Sequence, residues 1–458
     1  MKNRPVSEAD HFYRSLWTLV LPVTAQSLVN YAVNSADVFM LGYVGQSALS
    51  AVSLANQVQF WVTGFFWGAT SGTALMIAQY WGKGDHRAVQ SVMGIGLKVS
   101  LAFTSFLSLV VILFSVPVMR LFTADAGLIA TGAEYLKIIG VTYIFQSVSQ
   151  IYECGMRSIG RAGASTIISS AALGTNVVLN AVFIFGLAGM PRLGVIGVAL
   201  ATVIARLLEV AFRAADAMNS HVIHYEAALI LGSHAQLTKD FFRYSIPALL
   251  NDVSWTVAFS TYSIILGHLE SDVEEVLAAA AVAVTIRNLC TVACMSLGQA
   301  AVAIIGRELG GGDLNGAKRD GRRIVILSLL SGAITGLLIL LLHPALLSVF
   351  PLTDTARDYL RFMLLISSYY VIGQSVNTAV ITGVFRAGGD TKFGMWCDSI
   401  NMWCVAVPVG FFSAFILRLP AKPLYVILCL DEFYKIPVEY LHYKKYRWLK
   451  TVTRADAE

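Results

Sequence analysis

Long apolar stretches separated by short polar connections run from residue 15 almost to the end of the chain. A helix that crosses a bilayer needs about 20 mostly apolar residues. Twelve stretches qualify by that measure: 15–43, 49–80, 92–117, 135–156, 164–187, 194–218, 241–267, 276–306, 324–347, 359–385, 393–417 and 424–441. Several exceed the minimum, which tilt or extension beyond the bilayer accommodates. The last is the weakest, because Asp431, Glu432, Lys435 and Glu439 interrupt it. The pattern predicts an all-α membrane protein with twelve transmembrane helices.

The chain also repeats itself. Pro22 and Gly42 in the first stretch match Pro247 and Gly267 in the seventh, an offset of 225. After the 268–275 loop the offset becomes 228 and holds: Gly82, Gly84 and Asp85 match Gly310, Gly312 and Asp313, Gln146-Ser147-Val148 matches Gln374-Ser375-Val376, and Gly155 matches Gly383. Self-similarity at a steady offset marks a duplication. Six spans per half is an even number, so both halves enter the membrane from the same side. The expected arrangement is two pseudo-two-fold-related six-helix bundles with the transport path between them. Residues 1–218 form the first lobe, 219–240 a connector, and 241–458 the second lobe with a basic C-terminal tail.

Composition agrees: 56% of the 458 residues are hydrophobic and 13% charged, against about 25% charged in a soluble domain. No cleavable leader is visible in residues 1–16. Most of the 33 lysines and arginines fall in one alternating set of segments, the N-terminus, 81–91, 157–163, 213–243, 307–323, 386–392 and the tail from 442. The positive-inside rule puts that set, and both termini, in the cytoplasm. The six cysteines (Cys154, Cys290, Cys294, Cys397, Cys404, Cys429) lie in apolar stretches and read as small hydrophobes. His221, His224 and His234 in the connector lack acidic or cysteine ligands at matching spacing and read as a solvated linker. There is no GxxxxGK[ST], HExxH or GxSxG pattern, so the parts for P-loop ATP hydrolysis and for familiar membrane hydrolases are missing. No enzyme activity, cofactor or nucleic-acid partner is expected. The tail HYKKYRWLK (442–450) fits anchoring at an anionic membrane lipid surface.

An ionisable group inside a span costs roughly 2.5–3.5 kcal/mol for Asp and marks function by default. Asp37 is the strongest case, about five residues from the end of its span near Gly42. Asn34 and Asn30 share its helix face, one and two turns away, and a carboxylate with amide neighbours can bind H⁺ or Na⁺. Asn176 and Asn180, at i and i+4, form one polar stripe, readable as ligands or as helix-packing amides. Thr202 can supply a fourth oxygen or bond to its own helix. In the second half Asn251, Asp252 and Trp255 lie on the seventh helix and Arg287 on the eighth. Asp252 and Arg287 stand near mid-depth and are expected to pair with each other or to border the substrate cavity. Trp255, Tyr262, Tyr369 and Tyr370 offer aromatic faces to an organic cation. Lys98 near a helix end, the Arg206–Glu209 pair, and Asp431, Glu432 and Glu439 around Lys435 read as structural, the last group as a local salt-bridged patch.

The chain resembles the multidrug and toxic compound extrusion (MATE) family. The resemblance rests on LPVTAQSLVNYAVNSADVFMLGYVG (21–45), the Gly-x-Gly-Asp turn at 82–85, GMRSIGRAG (155–163), NVVLN (176–180), LGVIGVALATVIAR (193–206) and FRAGGDTKF (385–393). It implies a cation-coupled antiporter that exports organic, often cationic, compounds, with Asp37 at the position of the family's N-lobe cation-binding Asp. Some members carry Asp where Asn180 stands, so this half has one titratable group fewer. Some also place acidic residues on the seventh, eighth and tenth helices, and here the tenth has none between Tyr359 and Arg386.

These observations give an H⁺- or Na⁺-coupled exporter of small organic cations, monomeric, in a bacterial cytoplasmic (inner) membrane. The cation-binding set is Asp37, Asn176, Asn180 and Thr202. Asn30, Asn34, Asp252, Trp255, Arg287 and Tyr369 line the path. The alternatives are a flippase or exporter of lipid-linked saccharide, which a wide basic cavity would favour, and a non-transporting membrane sensor, which needs no coupling carboxylate.

Overall fold

The computed structural model describes residues 8–220, 222, 226–269, 271–349 and 352–454. Of the connector histidines, His221 and His224 lie outside the described residues. Among the described residues, twelve principal helices follow one another, besides short ones at Ser115–Arg120 and Ala227–Leu231. The first half comprises α1 (Glu8–Val44), α2 (Gln46–Lys83), α3 (His86–Leu113), the bent α4 (Ala126–Ile139 and Thr142–Ser158), α5 (Ala162–Phe185) and α6 (Gly194–Met218). The second comprises α7 (Ala235–Gly267), α8 (Val273–Gly310), α9 (Leu314–Val349), α10 (Asp354–Phe385), α11 (Thr391–Ile416) and α12, made of Ala421–Leu428, Asp431–Tyr434 and Ile436–Lys444. Eight of these are long and apolar enough to cross a membrane, or nine with the two arms of α4 counted as one span. Lipid offers no partners for backbone amides, so a spanning chain satisfies them within helices.

Departures from regular helix have local causes. α4 bends by 48° at Gly140-Val141, where the bonds Tyr143 N–Gly140 O and Ile144 N–Val141 O shorten the repeat to i+3. It also begins well before the expected residue 135, because Asp125 accepts a bond from Leu128 N and caps its first turn. α12 breaks before Ile436–Lys444, whose Pro437 cannot donate into the preceding turn. Wide π turns occupy Thr378–Phe385 in α10 and Asn401–Ala406 in α11, the latter just ahead of Pro408.

The two halves meet at the end that carries the basic connections. In α2 every residue from Gly72 to Tyr80 except Ala74 is buried, whereas Trp61, nearer the other end, is 72% exposed. Glycines make the contact close: Gly68 lies against Leu249, Gly82 against the Arg307 carbonyl and Gly310 against the Gln79 carbonyl. One core there draws Phe12, Leu16, Leu19 and Ala162 together with Leu297, Ile305, Phe385 and Trp448. Toward the opposite end each half keeps its own core, one around Leu41, Tyr135 and Tyr143 and one around Tyr262, Ala283 and Tyr425. The bundle is closed at the basic end and divided at the other.

The C-terminal tail reinforces that closure. Trp448 is fully buried, and Gln79 of α2 donates to Ala387 O (2.7 Å) and Lys450 O (3.2 Å) while accepting from Val452 N (2.7 Å). Arg454 then reaches Asp240 of α7 at 2.6 and 3.0 Å, and its carbonyl accepts from Lys83 of α2 at 2.5 Å. The tail thus bonds to both halves.

Candidate functional site

Asp37, near the divided end of α1, is partly exposed, and α1 packs along α5. Asn180 is fully buried, and its amide donates to Asp37 Oδ1 at 2.7 Å and to Asn176 Oδ1 at 3.2 Å. Asn176 in turn donates to Thr202 Oγ1 of α6 at 3.2 Å, and Thr202 donates back to Val198 O of its own helix at 2.9 Å. Thr202 therefore bonds to its own helix, one of its two expected roles, while its oxygen accepts from Asn176. The four residues form one continuous chain across α1, α5 and α6. Its remaining unmet atom is decisive: Asn180 Oδ1 is buried without a hydrogen-bond partner. A buried acceptor without a donor costs about 1–3 kcal/mol. A donor or a cation reaching this oxygen would remove that cost.

Asn34 and Asn30 do not join this chain. Asn34 is exposed, Asn30 is half-buried, and neither makes a side-chain hydrogen bond among the described residues. α5 meets α1 both at Asp37 and, through Thr166 and Gln26, near its other end, but its polar groups do not reach Asn34 or Asn30.

The expected pairing of Asp252 with Arg287 is not formed. Asp252 pairs instead with Arg386 at the end of α10, with Nη2–Oδ1 at 2.6 Å, and the same guanidinium donates to Ser71 of α2 at 3.2 Å. This triad spans the closed end and ties the second half to the first. Arg287 is 3% exposed, with its guanidinium over the rings of Tyr370 (4.6 Å) and Phe259 (5.2 Å). Trp255 stacks on Phe259 at 5.2 Å, and Tyr369 lies against Phe433 at 5.6 Å. Arg287 and Tyr370 are therefore core groups, and Trp255 and Tyr369 are only partly covered.

The patch around Lys435 is more than local. Lys435 Nζ pairs with Glu432 at 3.0 Å, but also with Asp398 of α11 at 2.8 Å, and all three are buried. Asn251 of α7 donates to Asp398 (3.1 Å), Asn377 of α10 to Glu432 (2.7 Å) and Tyr262 of α7 to Asp431 (3.3 Å). Asp431 thus bonds to Tyr262 rather than to Lys435, and Glu439 stands outside ion-pair distance. By the repeat offset of 225, Tyr262 occupies the place of Asp37. Each half therefore has a polar seam among its first, fifth and sixth helices, but the second carries its own ammonium. Asp398 was missed, although a carboxylate within an apolar stretch is the signal that singled out Asp37.

A further network fills the basic end of the first half. Arg213, 1% exposed, bonds to Glu209 (2.8 Å), Glu153 (3.2 Å), Ser165 and Ser169 (both 2.7 Å), and Gln26 of α1 donates to Glu153 at 3.1 Å. Arg206 does pair with Glu209, at 2.7 Å. Arg213 had been assigned to a connection; in fact α6 continues through it and buries it. Lys98 does not lie at a helix end, as α3 runs well past it on both sides, and it donates to Gly232 O at 2.5 Å.

A family model described as MatE matches residues 22–182 and again 247–412. The chain is 27% identical to a probable multidrug resistance protein NorM of Rhizobium meliloti, over 90% of this chain and 87% of that protein. It is 23% identical to a probable multidrug resistance protein NorM of Thermotoga maritima, over 97% and 95%. An uncharacterized transporter of Bacillus subtilis, YisQ, is 22% identical over 95% of each. Among solved structures the fold is similar to a MOP superfamily transporter from Pyrococcus furiosus, with a TM-score of 0.86, 16% identity, and 97% and 98% of the two chains covered. It is also similar to a multidrug resistance MATE family transporter of the MOP superfamily in an outward-facing conformation, with a TM-score of 0.83, 16% identity and 97% and 98% coverage.

Proposed function

The chain belongs to the MatE family of multi-pass membrane transporters, and from that premise we propose that it is a cation-coupled antiporter exporting small organic cations. The reading places it in a bacterial inner membrane, with the basic end and both termini in the cytoplasm. The closed, tail-strapped end is then the cytoplasmic gate, and the division between the halves opens outward.

The observation that carries the proposal is the pairing of a partly exposed carboxylate, Asp37, with the unmet oxygen of Asn180. In the outward-open state H⁺ or Na⁺ enters there, with Asn176 and Thr202 fixing the orientation of the Asn180 amide. Neutralising Asp37 removes the electrostatic attraction for a cationic substrate and lowers the cost of burying the carboxylate as the halves rock. Closure of the outer end then requires the gate at Gly68, Gly82 and Gly310 to part, with release of the Arg386–Ser71 bond and of the tail. The ion leaves to the cytoplasm as new substrate enters. Moving one charge through the membrane potential supplies about 2.3 kcal/mol per 100 mV.

A flippase of lipid-linked saccharide is less well supported, because Arg287 is buried under aromatic rings and Arg386 is paired with Asp252. The test is dye export from everted vesicles under an imposed proton or sodium gradient. Asp37→Asn is expected to abolish gradient-driven export while leaving the protein in the membrane. Undiminished export by that variant would refute the proposal.

A further inference from the structure

A pocket of about 420 Å³ at the basic end is lined by Arg243 and Tyr244 of α7, by Asp390, Thr391 and Lys392 at the start of α11, and by Lys450 of the tail. We propose that it is a binding site for the phosphate headgroup of an anionic phospholipid. It lies apart from Asp37, and the proposal rests on the membrane orientation given above but not on ion coupling.

Three observations converge on a phosphate. First, the pocket holds three cations against one carboxylate. Asp390 is already engaged by His442 (2.6 Å) and Lys450 (3.6 Å), whereas neither Arg243 nor Lys392 has an ion pair among the described residues. Second, Asp390 is the N-cap of α11, yet its side chain accepts no bond from the first turn. By contrast Asp85 and Asp313, repeat mates of each other, cap their helices through Ala88 N and Gly316 N. The first amides of α11 are thus left for an external acceptor, and a helix N-terminus favours an anion there. Third, Thr391 is 4% exposed and its hydroxyl has no hydrogen-bond partner, so a buried donor stands in the wall of the same pocket.

The flanking surface selects a lipid as the source of that phosphate. α7 and α11 pack side by side. From the pocket toward the membrane interior, Phe242, Ile246 and Leu250 form an exposed stripe on α7, and Trp396, Ile400 and Trp403 form one on α11. The neighbouring face of α7, at Ser245 and Leu249, is pressed against Gly72 and Gly68 of the other half. The stripe at 242, 246 and 250 therefore points away from that contact, where acyl chains can lie along it. Basic pockets between helices at the cytoplasmic face are suited to anionic headgroups.

The experiment uses the full-length protein in nanodiscs of equal parts phosphatidylglycerol and phosphatidylcholine, with retained lipid counted by native mass spectrometry. Wild type is expected to retain phosphatidylglycerol in preference to phosphatidylcholine. Each Lys or Arg near an anionic surface contributes about 1 kcal/mol, so the double change Arg243→Gln, Lys392→Gln should weaken retention roughly thirtyfold. Thr391→Val should weaken it by a smaller factor, while Arg243→Lys with Lys392→Arg and Asp37→Asn should leave it intact. Equal retention of the two lipids by wild type would overturn the proposal, as would unchanged retention in the double Gln variant or loss in the charge-preserving one. Displacement of the lipid by millimolar inorganic phosphate would also overturn it, by making a soluble anion the true ligand.

Discussion

Replacing Asn180 with alanine removes two atoms with opposite consequences for the two candidate coupling ions. Its amide N–H donates to ionised Asp37 at 2.7 Å, and a hydrogen bond to a charged group is worth about 1.5–3 kcal/mol. Asp37 is only partly buried, so water replaces some of that bond and the lower end of the range applies. If the ion is H⁺, the proton-loaded state gains about 1.5 kcal/mol, and the pH midpoint of export moves up by about one unit. If the ion is Na⁺, the variant loses the one buried acceptor in the seam without a partner among the described residues, Asn180 Oδ1, and sodium dependence should weaken tenfold or more. The assay is initial-rate dye uptake into everted vesicles, run once as a pH series without sodium and once as a sodium series at fixed pH. An upward pH shift with unaltered sodium response assigns the proton; the converse assigns sodium. If both curves overlay those of wild type, Asn180 does not support the coupling site and the geometric reasoning fails.

Three further outcomes follow from the same structure. Arg386→Gln strands the Asp252 carboxylate, 15% exposed, without its partner; a cost of about 3 kcal/mol should appear as a lower Tm and as gate opening in spin-label distances between the halves, and Arg386→Gln with Asp252→Asn should recover most of it. Lys435→Met leaves Asp398 and Glu432 buried without a cation, which should cost about 3–5 kcal/mol and reduce the folded protein recovered in detergent far more than Lys98→Met does. Arg454→Gln cuts the tail from Asp240 and should raise the inward-open fraction in the same distance measurement without changing Tm; an unchanged distribution would show that the tail does not restrain the gate.

Much of this architecture was legible because a bilayer constrains the chain so narrowly: each crossing must be a helix, and each helix needs an apolar run. The duplication was legible through Pro22, Pro247 and the paired Gly-x-Gly-Asp turns. The link from Asn176 to Asn180 was legible because amides at i and i+4 share a helix face one turn apart. Ion pairs between distant helices were not. Nothing in the spacing of Asp252 and Arg386, 134 positions apart, distinguishes that pair from Asp252 and Arg287, which sit at comparable depth on neighbouring helices. The π turns of α10 and α11 rotate later residues relative to a regular helix, so depth and facing counted at 1.5 Å and 100° per residue drift there. Asp125 was a readable signal passed over, since an N-cap Asp marks the start of a helix even ahead of the apolar run.

The two polar seams give a physical reason to assign the proposed ion coupling to the first half. Both join the first, fifth and sixth helices of their bundle, so duplication gave each half the same place for a buried charge. In the second half that place is filled by Tyr262, and the carboxylates of Asp398 and Glu432 face the ammonium of Lys435 at 2.8 and 3.0 Å. A cation arriving from solution would have to displace a tethered ammonium that is always at hand, so its effective affinity is reduced by the whole strength of those pairs. In the first half no lysine or arginine pairs with Asp37 among the described residues, and Asn180 leaves an acceptor open beside it. There an external ion would meet a partly exposed carboxylate with no lysine or arginine paired to it, so loading and release would alter the charge of the seam in each cycle.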